Sequence, residues 1–495
     1  MLAYLYQEEE QIMIFSSVTF LFLFLPIILA LVLLAGKRLR NHVLLAASLL
    51  FYAWGEGGYC LLLIGSVLVN FFLARRLEGA AGPGRKWLLS LGILLNLAPL
   101  FVFKYARFVV ESLNAIPGVS LFAGLQHNSL HLPVGISFFT FQALSYLVDV
   151  YRQTVPAERR LVNCGLYIAM FPQLLAGPIV RYHDLASQLV RRSVSREGLA
   201  AGAERFVLGL GKKVLLADPL GVQADRIFLL PAADLSTPEA WLGALCYTLQ
   251  LYYDFSGYSD MAIGLGRMFG FVLPENFNYP YISRSIREFW RRWHMSLSAW
   301  LRDYLYIPLG GNRKGTWRTL VNLLLVFLVC GLWHGANWTF VLWGAWHGLF
   351  LVLERLVPVR SQSKLLQAGG WLYATLVVML GWVLFRSPDL ASALHYLGVM
   401  AGGGADAAGL IAAELAQDAR FRTELIAAVI FAAPVYVTVR SFLDRAAASA
   451  GSVVGGAAAA FARGGFRLFL FGVVAYFSVI SIAARAYHPF LYFQF

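Results

Sequence analysis

Three of the nine histidines stand where an apolar chain has little reason to place them. His334 and His347 lie in Gly331–Gly348, GLWHGANWTFVLWGAWHG, inside one of the most apolar regions of the sequence. His294 lies in a segment rich in arginine and tryptophan, Tyr279 to Asn312, YPYISRSIREFWRRWHMSLSAWLRDYLYIPLGGN. A neutral imidazole takes a proton near neutral pH, its reference pKa being about 6.5. An ionisable side chain within a membrane segment is costly enough to be a functional candidate by default, which singles out His334. Thirteen residues separate it from His347. On a continuous helix that spacing means ~220° of rotation and ~20 Å of rise, so the two would share neither a metal nor a substrate. His347 therefore reads as a satisfied histidine near a helix end.

These residues need elements to hold them. Thr319 to Trp333 offers ~22 Å of helix, short of the ~30 Å that a hydrocarbon core requires. His-Gly-Ala-Asn follows, and a second apolar run continues to Leu353. Gly331 and Gly335 flank the break, and Asn337 is suited to cap the next helix. Non-helical backbone at membrane depth survives only where protein or a watered cavity satisfies it, so His334 is predicted to line a cavity inside the bilayer. In the second segment Ile282, Ile286, Phe289, Trp290, Trp293, Leu297, Trp300, Leu301 and Tyr304 recur at steps of three and four. That period predicts one amphipathic helix lying along the cytoplasmic interface. Arg284, Arg287, Arg291, Arg292 and Arg302 form its basic side, and His294 falls on it, one turn from Trp290 and Arg291. Such a surface anchors to anionic lipid. It can also receive the phosphates of a cytosolic coenzyme, because guanidinium groups match phosphate oxygens bidentately, and Arg287 and Arg291 are the candidates.

The whole composition fits a membrane setting. Of 495 residues 59% are hydrophobic and 14% charged, against about 25% charged in a soluble domain. Candidate spans lie near 15–35, 42–55, 59–74, 87–103, 132–151, 164–180, 240–253, 319–333, 337–356, 369–386, 422–440 and 466–484. Between 11 and 13 elements are expected to cross or enter the bilayer, giving an all-α polytopic protein. The first apolar run reads as an uncleaved span, since Glu8, Glu9 and Glu10 stand where a signal peptide carries basic residues. Net charge is +13. Its placement matters more than its sum, because basic loops mark the cytoplasmic face. Lys37, Arg38 and Arg40, then Arg75, Arg76, Arg85 and Lys86, put those loops inside and the N-terminus outside. Nothing points to nucleic acid. Cys60, Cys164, Cys246 and Cys330 show no paired spacing, so neither a disulfide framework nor a zinc site is indicated. No internal repeat is visible, and the glycine- and alanine-rich stretches at 402–404 and 446–465 read as loops or small-residue packing surfaces. GLGKK (Gly209–Lys213) and GLGRMFG (Gly264–Gly270) lack the pattern or the strand-helix setting of a nucleotide loop.

The series VGISFFTFQALSYLVDVYR (Val134–Arg152), FPQLLAGPIVRY (Phe171–Tyr182), YYDFSGYSDMAIGLGRMFGF (Tyr252–Phe271), Pro274–Asn312 and GLWHGANWTFVLWGAWHG resembles the membrane-bound O-acyltransferase (MBOAT) family. More narrowly, it resembles the bacterial branch typified by alginate O-acetylation, with relatives serving cellulose acetylation and teichoic-acid D-alanylation. The similarity runs from Met13 to Phe495, including the terminal HPFLYFQF, and Met1–Ile12 reads as an extension or an early start. One membrane domain, 13–495, is expected, with its core motifs at 134–348. The resemblance implies helices around a central funnel and tunnel. His334 matches the family's near-invariant histidine and His294 the second histidine of this branch.

What the resemblance implies for chemistry is compact. A hydroxyl attacking a thioester carbonyl must lose its proton, and His334 is assigned as the general base that takes it. His294 orients the acceptor, polarises the acyl carbonyl or assists the base. No metal and no tightly bound cofactor are required. Acetyl-CoA is the expected donor, an exopolysaccharide, foremost alginate, the acceptor, a periplasmic acetyltransferase the expected partner, and the bacterial inner membrane the location. Acetylation of cellulose or another polymer, D-alanyl transfer to teichoic acid, and a transporter or scaffold in which the histidines only shape a conduit are the alternatives. Asp254, Ser256, Asp260 and Glu275, close to the motif core, are expected to satisfy helix ends and buried polar groups.

Overall fold

The computed structural model describes residues 13–117, 131–357, 363–404, 409–435, 437–439, 441–442, 445 and 453–484, and among them every regular element is helical. The expected extension 1–12 and the terminal HPFLYFQF lie outside the described residues. In chain order the helices are α1 (Leu25–Leu34), α2 (Arg40–Glu56), α3 (Cys60–Gly79), α4 (Gly82–Leu100), α5 (Ala106–Asn114), α6 (Ile136–Tyr151), α7 (Leu161–Ala169), α8 (Tyr182–Val190), α9 (Arg196–Gly211) and α10 (Asp218–Phe228). There follow α11 (Thr237–Met268), α12 (Ile286–Trp290), α13 (Met295–Leu301), α14 (Thr316–His334), α15 (Trp338–Leu356), α16 (Lys364–Arg386), α17 (Leu390–Gly398), α18 (Leu410–Gln417), α19 (Ala419–Phe431) and α20 (Val453–Ala484).

Five stretches are long and apolar enough to cross a membrane: Arg40–Gly79, Gly82–Asn114, Thr316–His334, Lys364–Arg386 and Gly464–Ala484. The first is a helical hairpin. Gly57, at φ 50°, turns the chain between α2 and α3, a conformation that favours glycine. Of the remaining helices, α11 is largely enclosed by protein, whereas α1, α15 and α19 leave large apolar side chains such as Ile27, Leu353 and Ile426 exposed.

The centre is α11, in which every residue from Cys246 to Gly266 is buried. The expected span stopped at 253, just before Asp254, Ser256 and Asp260. The helix runs on because its surroundings pair those groups. Lys213 bridges Asp218 at 2.8 Å and Asp254 at 2.7 Å. Asp260 takes Lys212 at 2.7 Å and Arg205, which also holds Glu275. The structural reading of Asp254, Asp260 and Glu275 therefore fits.

One glycine of each string set aside as a nucleotide loop, Gly209 and Gly264, lies in the contact between α9 and α11. A Cβ on Gly209 would stand 2.5 Å from the carbonyl oxygen of Gly257, and one on Gly202 2.6 Å from that of Gly264. The reciprocal clashes are as close, 2.7 Å for Gly257 and 2.6 Å for Gly264. Two pairs of glycines, seven residues apart on each helix, let the backbones touch as small residues do in membrane bundles.

Two further expectations differ from the structure. The 164–180 segment is no continuous helix: α7 ends at Ala169, Met170 is non-helical (φ −60°, ψ 115°), and only the turn Phe171–Leu174 resumes. Pro172 favours the start of a new turn and not the continuation of an old one. At the other end, residues 453–465, read as loop or packing surface, belong to α20.

Candidate functional site

α14 and α15 form an antiparallel hairpin whose backbones meet. A Cβ on Gly331 would lie 2.2 Å from the carbonyl oxygen of Phe340, and one on Gly344 2.3 Å from that of Phe327. α14 starts three residues before its predicted beginning and stops at His334, where Gly335 is extended (φ −159°, ψ 148°). Asn337 accepts from the Thr339 N–H at 3.1 Å, capping α15. Gly335 is at the break, whereas Gly331 lies within α14 and serves the contact with α15.

His334 is buried, 4% exposed, and lines a cavity of ≈ 40 Å³ together with Lys104, the segment Leu132–Phe138 that leads into α6, Leu175 and Trp333. The predicted location in a cavity is thus met. Lys104 Nζ donates to the carbonyl oxygens of Trp333 (2.7 Å) and His334 (3.1 Å) and approaches Ser137 Oγ (3.5 Å). The His334 ring packs edge-on against Trp343 and Phe385, with centroids 5.1 and 5.3 Å apart.

The structure brings His294 to the same place by a route that the sequence did not reveal. The predicted single helix over 279–312 is broken: a short turn at Pro280–Ile282, then α12, a turn, α13 and the wide turn Arg302–Tyr306. His294 is the hinge between α12 and α13, in the left-handed region at φ 43°, ψ 55°. For a non-glycine residue that conformation is strained and recurs at functional sites. Glu354 fixes the segment from outside by accepting from the Ile286 and Arg287 N–H groups, and Ser285 caps α12 through the Glu288 N–H. Of the nine apolar residues, Ile286, Phe289, Trp290, Trp293, Leu297, Trp300 and Leu301 are buried as their spacing required, while Ile282 and Tyr304 are half-buried. Arg287 and Arg291 are exposed. At the far end partial burial opposes ionisation of Asp303, but the hydrogen bond from Arg302 and the charges of Arg302 and Arg181 hold its carboxyl below the ordinary carboxylate range.

His294 is fully buried, and its Nδ1 lies 3.0 Å from Asn276 Oδ1. That oxygen also accepts from the Ser296 N–H (3.3 Å) and hydroxyl (2.9 Å), and Asn276 Nδ2 donates to Ser259 Oγ at 3.0 Å. A backbone N–H can only donate, so the amide oxygen must face it. Asn276 Oδ1 therefore accepts from His294, Nδ1 carries the proton, and Nε2 is the basic nitrogen of the neutral ring. Trp333 packs against both imidazoles, its centroid 6.1 Å from that of His294 and 4.8 Å from that of His334.

His347 departs from its expected place. It lies within α15, not near its end, is fully buried, and neither ring nitrogen has a hydrogen-bond partner among the described residues. Tryptophans 290 and 343 enclose it, with centroids at 5.2 and 5.1 Å. The continuous helix assumed between His334 and His347 does not exist. No group of three or more metal-ligating side chains occurs among the described residues.

This pair of histidines, one at a broken helix end and one on a strained hinge, occurs in a chain whose residues 158–391 match the family described as MBOAT, membrane-bound O-acyltransferase. The "Probable alginate O-acetylase AlgI" of Azotobacter vinelandii is 45% identical over 514 residues, covering 98% of this chain and 100% of the relative. The protein of the same description from Pseudomonas putida is 51% identical over 395 residues, 78% of this chain and 80% of the relative. The "Peptidoglycan O-acetyltransferase" of Helicobacter pylori is 37% identical over 428 residues, 79% and 80% of the two chains. The chain belongs to the membrane-bound O-acyltransferase family. It is a multi-pass membrane O-acyltransferase.

Sequence reasoning missed three polar residues of this acyltransferase's site. Asn276 lay within a quoted motif but looked like any loop asparagine. Lys104 and Tyr105 were placed beyond a span ending at 103, yet the helical stretch continues to Asn114. The available signal was a lone lysine in an apolar run, the kind of residue that marks function inside a membrane.

Proposed function

We propose that this acyltransferase moves acetyl from a cytosolic thioester, acetyl-CoA, across the bacterial inner membrane to hydroxyls of an exopolysaccharide, alginate, with His334 as general base. The observation that carries the reading is the position of His334, buried at the break between α14 and α15 on a cavity wall, with Trp333 packed against both its ring and that of His294. The relatives' descriptions as alginate O-acetylases supply the acyl group and the polymer. His334 takes the proton of the attacking hydroxyl as its oxygen bonds to the acetyl carbonyl carbon. The tetrahedral intermediate then collapses, the C–S bond breaks, and the thiolate leaves with the proton that the imidazolium returns.

His294 has a narrower role than its sequence allowed. With Nδ1–H committed to Asn276, the neutral ring has no N–H to polarise a carbonyl, and Nε2 can only accept. It orients the acceptor hydroxyl or assists the base. Replacing Asn276 by alanine frees the ring to turn and is expected to lower kcat about tenfold or more, since misplacement by about 1 Å has effects of that order or larger. Steady-state transfer measured beside thermal melting in detergent checks this. A fall in rate larger than any loss of folded protein supports the tautomer assignment, and an unchanged rate contradicts it.

Arg287 and Arg291, exposed on the segment that carries His294, are the proposed contacts to the donor's phosphates. The hydroxyl acceptor reaches His334 from the opposite face, directly or through a periplasmic acetyltransferase partner. The test uses membranes that carry the chain and its native neighbours, supplied with labelled acetyl-CoA and alginate. Base-labile label on the polymer is expected only when the chain is present. Under the same conditions Arg287→Gln with Arg291→Gln should raise the KM for acetyl-CoA about tenfold at unchanged kcat, the mark of binding lost equally from ground and transition states. Labelling that does not depend on the chain would overturn the function, and an unchanged KM would overturn the donor site.

A further inference from the structure

The mechanism above leaves unused the polar groups of one turn beside His334. Between α4 and α5 the helix widens into a π turn, Phe101–Tyr105. Pro99 lies just before it and lacks an N–H for the regular ladder, which favours such a local rearrangement. The turn carries Lys104, 9% exposed, and Tyr105, half-buried. Among the described residues no carboxylate pairs with Lys104. Its Nζ donates instead to the carbonyl oxygens of Trp333 and His334, and the Tyr105 hydroxyl donates to that of Leu332 at 2.9 Å.

Those carbonyls are the last of α14. A helix ends with four carbonyls that have no partner inside it. Here the fourth, on Gly331, accepts from the Gly335 N–H at 3.2 Å, so all four are satisfied. An ammonium at this position also faces the negative end of the helix dipole, which accounts for a buried lysine without an acidic partner. Lys104 and His334 line the same cavity.

We propose that Lys104 and Tyr105 are positioning residues for His334: they clamp the last carbonyls of α14 and so hold the imidazole at one depth and in one orientation on the cavity wall. The proposal rests on the reading of His334 as general base. Without the clamp, a helix end broken at membrane depth would draw in water or unwind, and His334 would move with it.

The test measures kcat and KM for acetyl-CoA and polymer in Lys104→Met, Tyr105→Phe and His334→Ala, each normalised to folded protein by detergent melting. Lys104→Met is expected to lower kcat about 10²-fold with each KM within about twofold of wild type, because His334 is displaced while the binding surfaces remain. Tyr105→Phe removes one hydroxyl and is expected to lower kcat about tenfold. It keeps the proposal testable should Lys104→Met fail to fold. A wild-type kcat in Tyr105→Phe together with either a wild-type kcat or no folded protein in Lys104→Met would overturn the clamp, as would losses that vanish on normalisation. Defective clamp variants beside a fully active His334→Ala would overturn the general-base reading itself. A defective His334→Ala beside fully active clamp variants would overturn the clamp alone.

Discussion

Replacing His334 by alanine is expected to lower acetyl transfer by about 10²- to 10⁴-fold, the contribution that a positioned general base makes. The chain should still fold. His334 is the last residue of α14, and the hairpin's closest contacts are made elsewhere, by Gly331 and Gly344. Truncating the ring removes packing against Trp333, Trp343 and Phe385, so His334→Gln, which keeps more of the volume, is the companion variant. Steady-state transfer per folded molecule should be lost in both. Persistence of the wild-type rate in either would mean that another group takes the proton.

The largest expected effect on stability belongs to the hairpin. Gly344→Val would place its Cβ 2.3 Å from the Phe327 carbonyl oxygen and 3.3 Å from the Leu328 Cα, backbone atoms that no side-chain rotation can move aside. The helices must separate, and the break that presents His334 goes with them. A loss of about 3 kcal/mol is expected, at the upper end of overpacking. Gly369→Ala, on α16, is the control, since nothing lies within 4 Å of its added Cβ. Melting in detergent should show Gly344→Val strongly destabilised or unfolded and Gly369→Ala unchanged or slightly more stable. Equal melting temperatures for the two would contradict the close approach of α14 and α15.

The parts of the fold that hydropathy and punctuation control were legible. The break at His334 followed from a short apolar run ended by His-Gly-Ala-Asn, and Asn337 caps α15 as its position required. α11 runs past the expected end at 253 because Lys213, Lys212 and Arg205 meet the polar residues that follow inside the protein, ion pairs that hydropathy does not record. The segment around His294 shows a subtler limit. Its period of three and four correctly named the buried apolar residues from Ile286 to Leu301, with Ile282 and Tyr304 at its ends only half-buried. Two short helices with a hinge can bury the same residues against the same wall, and periodicity does not record the hinge. Only a tertiary partner reveals it, here Asn276, eighteen residues upstream. Lys104 was missed for a related reason: the carbonyls that hold it lie more than two hundred residues away. Hydropathy alone also said nothing of the glycines on α9 and α11, whose role is visible only as a pair of touching backbones.

The most direct measurement is sided. Membrane vesicles of defined orientation, carrying the chain and its native neighbours, receive labelled acetyl-CoA on the cytoplasmic face and alginate on the other, with wild type and His334→Ala compared at equal folded protein. The account predicts ester-linked label on the polymer for wild type, none above background for His334→Ala, and none when the donor is supplied from the polymer's side. Equal labelling by wild type and His334→Ala would contradict it.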